Sequence, residues 1–199
     1  MKDTIFDLSR RTALVTGGSK GLGKAIAGAL AQAGAEVFIT SRHENELAAT
    51  AAEIQRDSGS RVEYAVADMG VRDQVGRLAE TAIQRMGKID ILFANAGGNI
   101  PQPIDQVRDE DWDHMLELNL SSCMAITRAM VPGMKERRWG RVIYTSSVMG
   151  LGSKEGRNAY SATKSALLGL ARAAALDLGP FGVTVNCIAP GLFAPELPM

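Results

Sequence analysis

The sequence predicts an α/β fold built on a doubly wound parallel sheet, and three observations carry that prediction. Six short β-rich runs alternate with longer segments of helical periodicity, several of the runs are apolar on both faces, and a glycine-rich turn joins the first run to the first helix. Length and composition agree, since 199 residues, 46% hydrophobic and 22% charged, can bury a sizeable core as one domain. No internal repeat, low-complexity tract or Pro/Ser-rich linker marks a boundary within 1–199.

The first strand, residues 13–16, runs through Thr16-Gly17-Gly18-Ser19-Lys20-Gly21-Leu22-Gly23 directly into a helical pattern over 21–33. Glycines at such a turn allow a tight bend and let the backbone approach a pyrophosphate seated on the N–H groups of the helix N-terminus. The spacing is G-x-x-x-G-x-G rather than the commoner G-x-G-x-x-G. The ligand this arrangement predicts is a dinucleotide, in contact with the loop residues Gly17, Ser19, Lys20, Gly21, Leu22 and Gly23.

The second strand covers 36–40, and at its end a site for NAD normally offers an acid to the ribose 2′-hydroxyl. Here the chain reads Ser41-Arg42. A guanidinium fork matches phosphate geometry, so Arg42 together with Lys20 suits a 2′-phosphate, and NADP(H) is favoured with NAD(H) second. A helix over 45–55, a strand over 62–66 and a helix over 72–86 follow, then a fourth strand over 89–93 inside the two-faced run IDILFANAG. A long helix over 109–135 opens on Asp109-Glu110-Asp111, where negative charge favours the dipole, and Trp112 and Trp139 flank it as rings packed on neighbours. The fifth strand covers 141–145, a helix 159–178, and the sixth strand 183–188.

The chemistry concentrates after the fifth strand. Tyr160 and Lys164 are four residues apart, on one face of their helix. A phenol ordinarily titrates near pH 10, so proton exchange near neutrality needs a nearby positive charge. A unit charge about 4 Å away contributes roughly 4 kcal/mol at an effective dielectric near 20, or about three pKa units, so the site must exclude some water. Ser147 and its neighbour Ser146 lie at the carboxyl end of the fifth strand, where open α/β sheets place ligands, and a two-faced strand turns only one of them into the site.

Other classes fit poorly. Lys plus Arg equal Asp plus Glu at 22 each, so no basic field attracts nucleic acid or an anionic membrane. The N-terminus carries Lys2, Asp3, Asp7 and Arg10 among apolar residues, unlike a signal peptide, and no stretch is long and apolar enough to span a bilayer, which points to the cytoplasm. Cys123 and Cys187 read as small buried hydrophobes rather than a disulfide, and His43 and His114 have no metal-ligand grouping around them, so no metal site is expected.

Taken together, Thr16 to Gly23, Asn95-Ala96-Gly97, Ser147 and the Y-x-x-x-K pair Tyr160/Lys164 resemble the short-chain dehydrogenases/reductases, in particular the 3-oxoacyl reductases. The resemblance covers nearly the whole chain and implies a Rossmann-type three-layer sandwich. It implies that Asp68 and Met69 meet the adenine end of the cofactor, that Asn95, Ala96 and Gly97 line the cofactor cleft, and that Pro190 and Gly191 flank the nicotinamide. It further implies that Ser147 rather than Ser146 is the active serine, that Tyr160 exchanges the proton, that Lys164 also binds the ribose, and that Asn119 supports a water-linked proton relay.

Two positions depart from the family pattern. Leu192-Phe193-Ala194-Pro195-Glu196 lacks the usual threonine after Pro190-Gly191, and the helical lid, last strand and last helix that family members add are not found before Met199. A single domain over 1–199, incomplete at its C-terminus and with a bare edge at the sixth strand, is therefore expected. The implied activity is hydride transfer between nicotinamide and a small carbonyl or alcohol, with a 3-oxoacyl thioester as the first substrate class and a sugar or polyol as the second. A non-catalytic dinucleotide sensor or scaffold is the rival. The helices over 109–135 and after Tyr160 resemble those that pair subunits, implying a homodimer or homotetramer. Residues 98–105 and 148–158 are expected to border the substrate.

Overall fold

Strand β1 (Thr12–Thr16) is buried along its whole length, a condition that requires helices on both faces of the sheet. The computed structural model describes residues 6–192. After β1 come α1 (Gly21–Gln32), β2 (Glu36–Ser41), α2 (Glu44–Ser58), β3 (Val62–Val66), α3 (Arg72–Met86) and β4 (Ile91–Ala94). Then follow α4 (Asp109–Leu116), α5 (Ser122–Glu136), β5 (Gly140–Thr145), α6 (Asn158–Leu178) and β6 (Val183–Ile188). The strands form one parallel sheet in the order β3-β2-β1-β4-β5-β6. The direction of winding reverses between β1 and β4, which opens a crevice at the carboxyl ends of the strands.

Side chains alternate across the sheet and build two cores. Leu14, Phe38, Leu92, Val142 and Tyr144 pack with residues of α3, α5 and α6, whereas Val15, Val37 and Ile39 pack with α1 and α2. The result is the three-layer arrangement expected. Burial pushes the Tyr144 phenol up to about 12, and its hydroxyl pairs with Thr127 Oγ1 at 3.0 Å.

Several elements differ from the periodicity. The helix expected over 109–135 is divided by a π turn, Glu117–Ser121, between α4 and α5. A π turn admits an extra residue and swings the side chain at that point off the regular face, and here that side chain is Asn119. Strand β4 starts at Ile91 rather than residue 89, because Asp90 turns its carboxylate to the Thr12 N–H at 3.2 Å and to Lys88 and Arg137. At the β6 edge, Val183 and Val185 are only 1% and 7% exposed. They pack in the core shared with α6, whereas Cys187 and Ile188 of the same strand are half-buried.

Trp139 is half-buried between the guanidinium groups of Arg11 and Arg141, 3.6 Å and 4.4 Å from its ring centre. Cys123 and Cys187 are free thiols, and burial raises Cys123 to about 11. No helix among the described residues is long and apolar enough to cross a membrane.

Candidate active site

The loop between β1 and α1 has backbone demands that only glycine meets. Gly17 has φ +66°, and a Cβ there would lie 3.0 Å from Ala96 Cα. A Cβ on Gly23 would come within 2.1 Å of the Gly17 carbonyl oxygen. The first turn of α1 has no capping side chain and no acid, so its outward N–H groups remain available to an anion. This cradle, which Cβ atoms would fill, suits a pyrophosphate.

Asn95 anchors the cradle to the rest of the crevice. Its backbone N–H and that of Ala96 donate to Thr16 Oγ1 at 3.0 and 2.9 Å. Its side chain donates to the Thr16 carbonyl at 3.1 Å and accepts from Thr145 Oγ1 at 3.2 Å. The tips of β1, β4 and β5 are thereby tied through one amide.

On the glycine-loop side, a cleft of 240 Å³ is lined by Gly17, Ser19, Lys20, Ser41, Arg42 and Asp68, with Met69, Asn95, Ala96 and Gly97. Sequence reasoning missed Glu46 and His43 there. Glu46 takes the Ser19 hydroxyl at 3.0 Å and pairs with Lys20 at 3.7 Å. Its position one turn into α2 carries no local motif, and only folding brings it back to the loop. Arg42 has no ion pair among the described residues. Asp68 accepts the Gly70 N–H at 2.8 Å.

A second cavity, of 420 Å³, holds Ser147, Tyr160 and Lys164 and shares Asn95 and Gly97 with the first. Ser146 does not line it, and instead donates to the Lys164 carbonyl at 2.7 Å. The Ser147 hydroxyl oxygen accepts the Met149 N–H at 3.1 Å, which leaves its own hydrogen free to donate. The Tyr160 hydroxyl makes no hydrogen bond among the described residues. Lys164 is 3% exposed, its ammonium lies 5.6 Å from the Tyr160 ring centre, and it donates to the Thr145 carbonyl at 2.7 Å. Desolvation lowers its pKa from the ordinary 10.5, consistent with a water-poor site.

Asn119 lies behind the cavity rather than in it. It is fully buried, accepts the Gly98 N–H at 2.9 Å, and donates to the Gly98 carbonyl at 3.0 Å and to Thr163 Oγ1 at 3.1 Å. A Cβ on Gly97 would lie 2.9 Å from Asn119 Oδ1 and 3.3 Å from Lys164 Nζ, so glycine is what lets these groups approach. Gly21, Leu22, Gly23 and Pro190 line neither cavity, although Gly191 lines the second and Pro190 accepts the Val148 N–H at 3.0 Å. Of the two stretches expected to border the substrate, Gly98, Asn99, Val148, Met149, Lys154 and Arg157 line this second cavity.

Residues 11–199 match the family model described as short chain dehydrogenase. The human Dehydrogenase/reductase SDR family member 4 is 38% identical over 93% of this chain, which spans 66% of that relative's length. A crystal structure of a 3-oxoacyl (acyl-carrier-protein) reductase from Agrobacterium tumefaciens with NADP bound is 35% identical, with TM-score 0.91, covering 96% of this chain and 74% of that one. The L-sorbose reductase of Gluconobacter frateurii, complexed with NADPH and L-sorbose, is 30% identical, with TM-score 0.92 and coverage of 95% and 72%.

Proposed function

The chain belongs to the short chain dehydrogenase family of oxidoreductases, and on that premise we propose that it moves a hydride between NADP(H) and a carbonyl or alcohol, with Tyr160 exchanging the proton. One observation carries the reading: Ser147, Tyr160 and Lys164 line a cavity that shares Asn95 and Gly97 with the cleft under the glycine loop.

A bound nicotinamide supplies or takes up the hydride. In reduction Tyr160 would give its proton to the carbonyl oxygen, and in oxidation it would take that proton back. Ser147 donates its free hydrogen to the same oxygen. The Lys164 ammonium, 5.6 Å from the Tyr160 ring centre and bonded to the Thr145 carbonyl, keeps two hydrogens for a ribose hydroxyl. Asn119 is a positioning residue, because its amide is already committed to Gly98 and Thr163.

On the cofactor side, Lys20 is partly neutralised by Glu46, so preference for a 2′-phosphate rests on Arg42. Fluorescence titration with NADPH and NADH, repeated on Arg42→Ala, tests this. NADPH should bind about tenfold or more tightly, with the difference lost in the variant, as expected for a charge-assisted contact. Preference for NADH would overturn the cofactor assignment. Failure to bind either would overturn the dinucleotide reading, and binding without turnover of any carbonyl would favour a sensor or scaffold. The relatives' names, which include 3-oxoacyl reductase, L-sorbose reductase and D-beta-hydroxybutyrate dehydrogenase, point to 3-oxoacyl thioesters, ketoses and short hydroxy acids as substrate classes for a first turnover screen.

Self-association is part of the same proposal. An apolar groove of 560 Å³ between α5 and α6 includes Met124, Val131, Leu170 and Ala174, and light scattering should report a dimer or tetramer. A monomer at micromolar concentration would remove that part.

A further inference from the structure

Resting on the dinucleotide reading, we propose that Glu46 is a specificity-determining residue of the cofactor cleft. Its carboxylate holds the donors that a ribose 2′-phosphate would take, so NADP(H) binds by exchange of partners and its advantage over NAD(H) is held down. The carboxylate bridges two residues of the glycine loop, accepting the Ser19 hydroxyl at 3.0 Å through one oxygen and pairing with Lys20 at 3.7 Å through the other. Ser19, Lys20 and Glu46 belong to the cleft that also holds Arg42 and His43. Glu46 and Asp68 are the acids among the described residues lining it, and Asp68 is turned to the Gly70 N–H at 2.8 Å. An ammonium and a hydroxyl aimed at one anion are the kind of donors that phosphate oxygens recruit. Glu46 thus serves as an internal stand-in for that phosphate.

The helix that carries this acid fixes its place. In α2, Thr50 lies one turn beyond Glu46 on the same face, is 4% exposed, and donates its hydroxyl to the Ser19 carbonyl at 2.8 Å. Further along, Glu53 pairs with Lys24 of α1 at 2.7 Å. These contacts seat α2 against the loop and α1, so the Glu46 backbone stays beside the cleft and its side chain is the part that can turn away. The Glu46 and Lys20 side chains are 41% and 76% exposed, and solvent weakens such a pair. A phosphate monoester, with close to two negative charges near neutrality, can therefore take Lys20 over. It then has the displaced carboxylate for a neighbour, and like charges repel. A ribose 2′-hydroxyl is uncharged, so NAD(H) meets no such repulsion.

Adenosine 2′,5′-bisphosphate and 5′-AMP, which differ only in the 2′-phosphate, probe the cleft without hydride transfer. Calorimetric titration of both is run on the unmodified chain, on Glu46→Gln, on Lys20→Ala and on the double variant. Glu46→Gln should tighten the bisphosphate about tenfold and change 5′-AMP by less than about twofold. Lys20→Ala should weaken the bisphosphate about twofold with Glu46 present and about tenfold or more in the Glu46→Gln background, where the freed ammonium meets the phosphate. A purely structural Glu46 would create no such coupling. An unchanged ratio of bisphosphate to 5′-AMP affinity in Glu46→Gln, or an equal loss from Lys20→Ala in both backgrounds, would overturn the proposal. Binding of neither probe to the unmodified chain would strike the dinucleotide reading instead. Preference for the bisphosphate that is lost in Arg42→Ala yet untouched by Glu46→Gln would strike this inference alone.

Discussion

The two ends of strand β4 show how one element can serve stability at one end and chemistry at the other. At the amino end, Asp90 is 1% exposed, and its carboxylate takes the Thr12 N–H at 3.2 Å, Lys88 at 2.8 Å and Arg137 at 3.3 Å. At the carboxyl end, Asn95 also ties neighbouring strands, yet it and Gly97 open onto two cavities. Polar groups are enclosed at the first end and left open to a ligand at the second. The cause is topological, because parallel strands deliver loops and helix N-termini to their carboxyl ends, where winding in opposite directions leaves a gap.

If that contrast is right, substitutions at the carboxyl end should change activity more than stability, and the largest effect is expected at Tyr160. Tyr160→Phe should lower kcat/KM about a thousandfold while leaving the thermal midpoint in place, since the hydroxyl has no partner among the described residues. A residual rate above a tenth of the original would break the assignment. Next, Gly23→Ala should weaken NADPH binding about a hundredfold, because its Cβ would lie 2.1 Å from the Gly17 oxygen and the cradle must shift by roughly 1 Å to relieve the clash. Affinity within twofold of the original would show that the loop does not hold the pyrophosphate.

The amino end should behave in the opposite way. Asp90→Ala should cost about 2–3 kcal/mol in urea unfolding, less than a fully enclosed pair because Lys88 and Arg137 can turn to water. A smaller cost would show that the ion pairs and the Thr12 bond are dispensable. Lys164 sharpens the comparison, being buried like Asp90 but without an acidic partner. Burial lowers its pKa from 10.5. Between that lowered value and 10.5 the unfolded chain binds the proton and the folded chain does not, so this residue's contribution to stability rises with pH across the window. Lys164→Met should abolish that slope in unfolding measured at several pH values, and an unchanged slope would contradict it. The smallest effect is expected at Gly28, where an added Cβ meets nothing within 4 Å. Gly28→Ala should stabilise α1 by about 0.5–1 kcal/mol without altering NADPH affinity.

Local chemistry made much of this legible. The glycine loop was readable because only glycine satisfies the φ of Gly17 and the Gly23 approach, and Tyr160 with Lys164 because helical spacing stacks them. The strands were readable from apolar content, within a residue or two at their ends. The π turn at Asn119 was not, since the apolar pattern runs on through it and the bulge is set by what Asn119 must reach, Gly98 and Thr163. Glu46 was also hidden. Nothing beside it in sequence marks it as a partner of Ser19 and Lys20, and α2 must fold back onto the loop before the contact exists.

By itself, then, the sequence determined the alternation of strands and helices, the glycine turn between β1 and α1, and the stacking of Tyr160 and Lys164 on one helix face, all of which arise from backbone sterics or from neighbours within a turn. Only the tertiary structure decided that Asn119 is spent on holding Gly98 and Thr163, and that Glu46 returns to Ser19 and Lys20. Those outcomes depend on loops meeting across the sheet, and charge and hydrogen-bond satisfaction at such a meeting is set by every chain segment that arrives there.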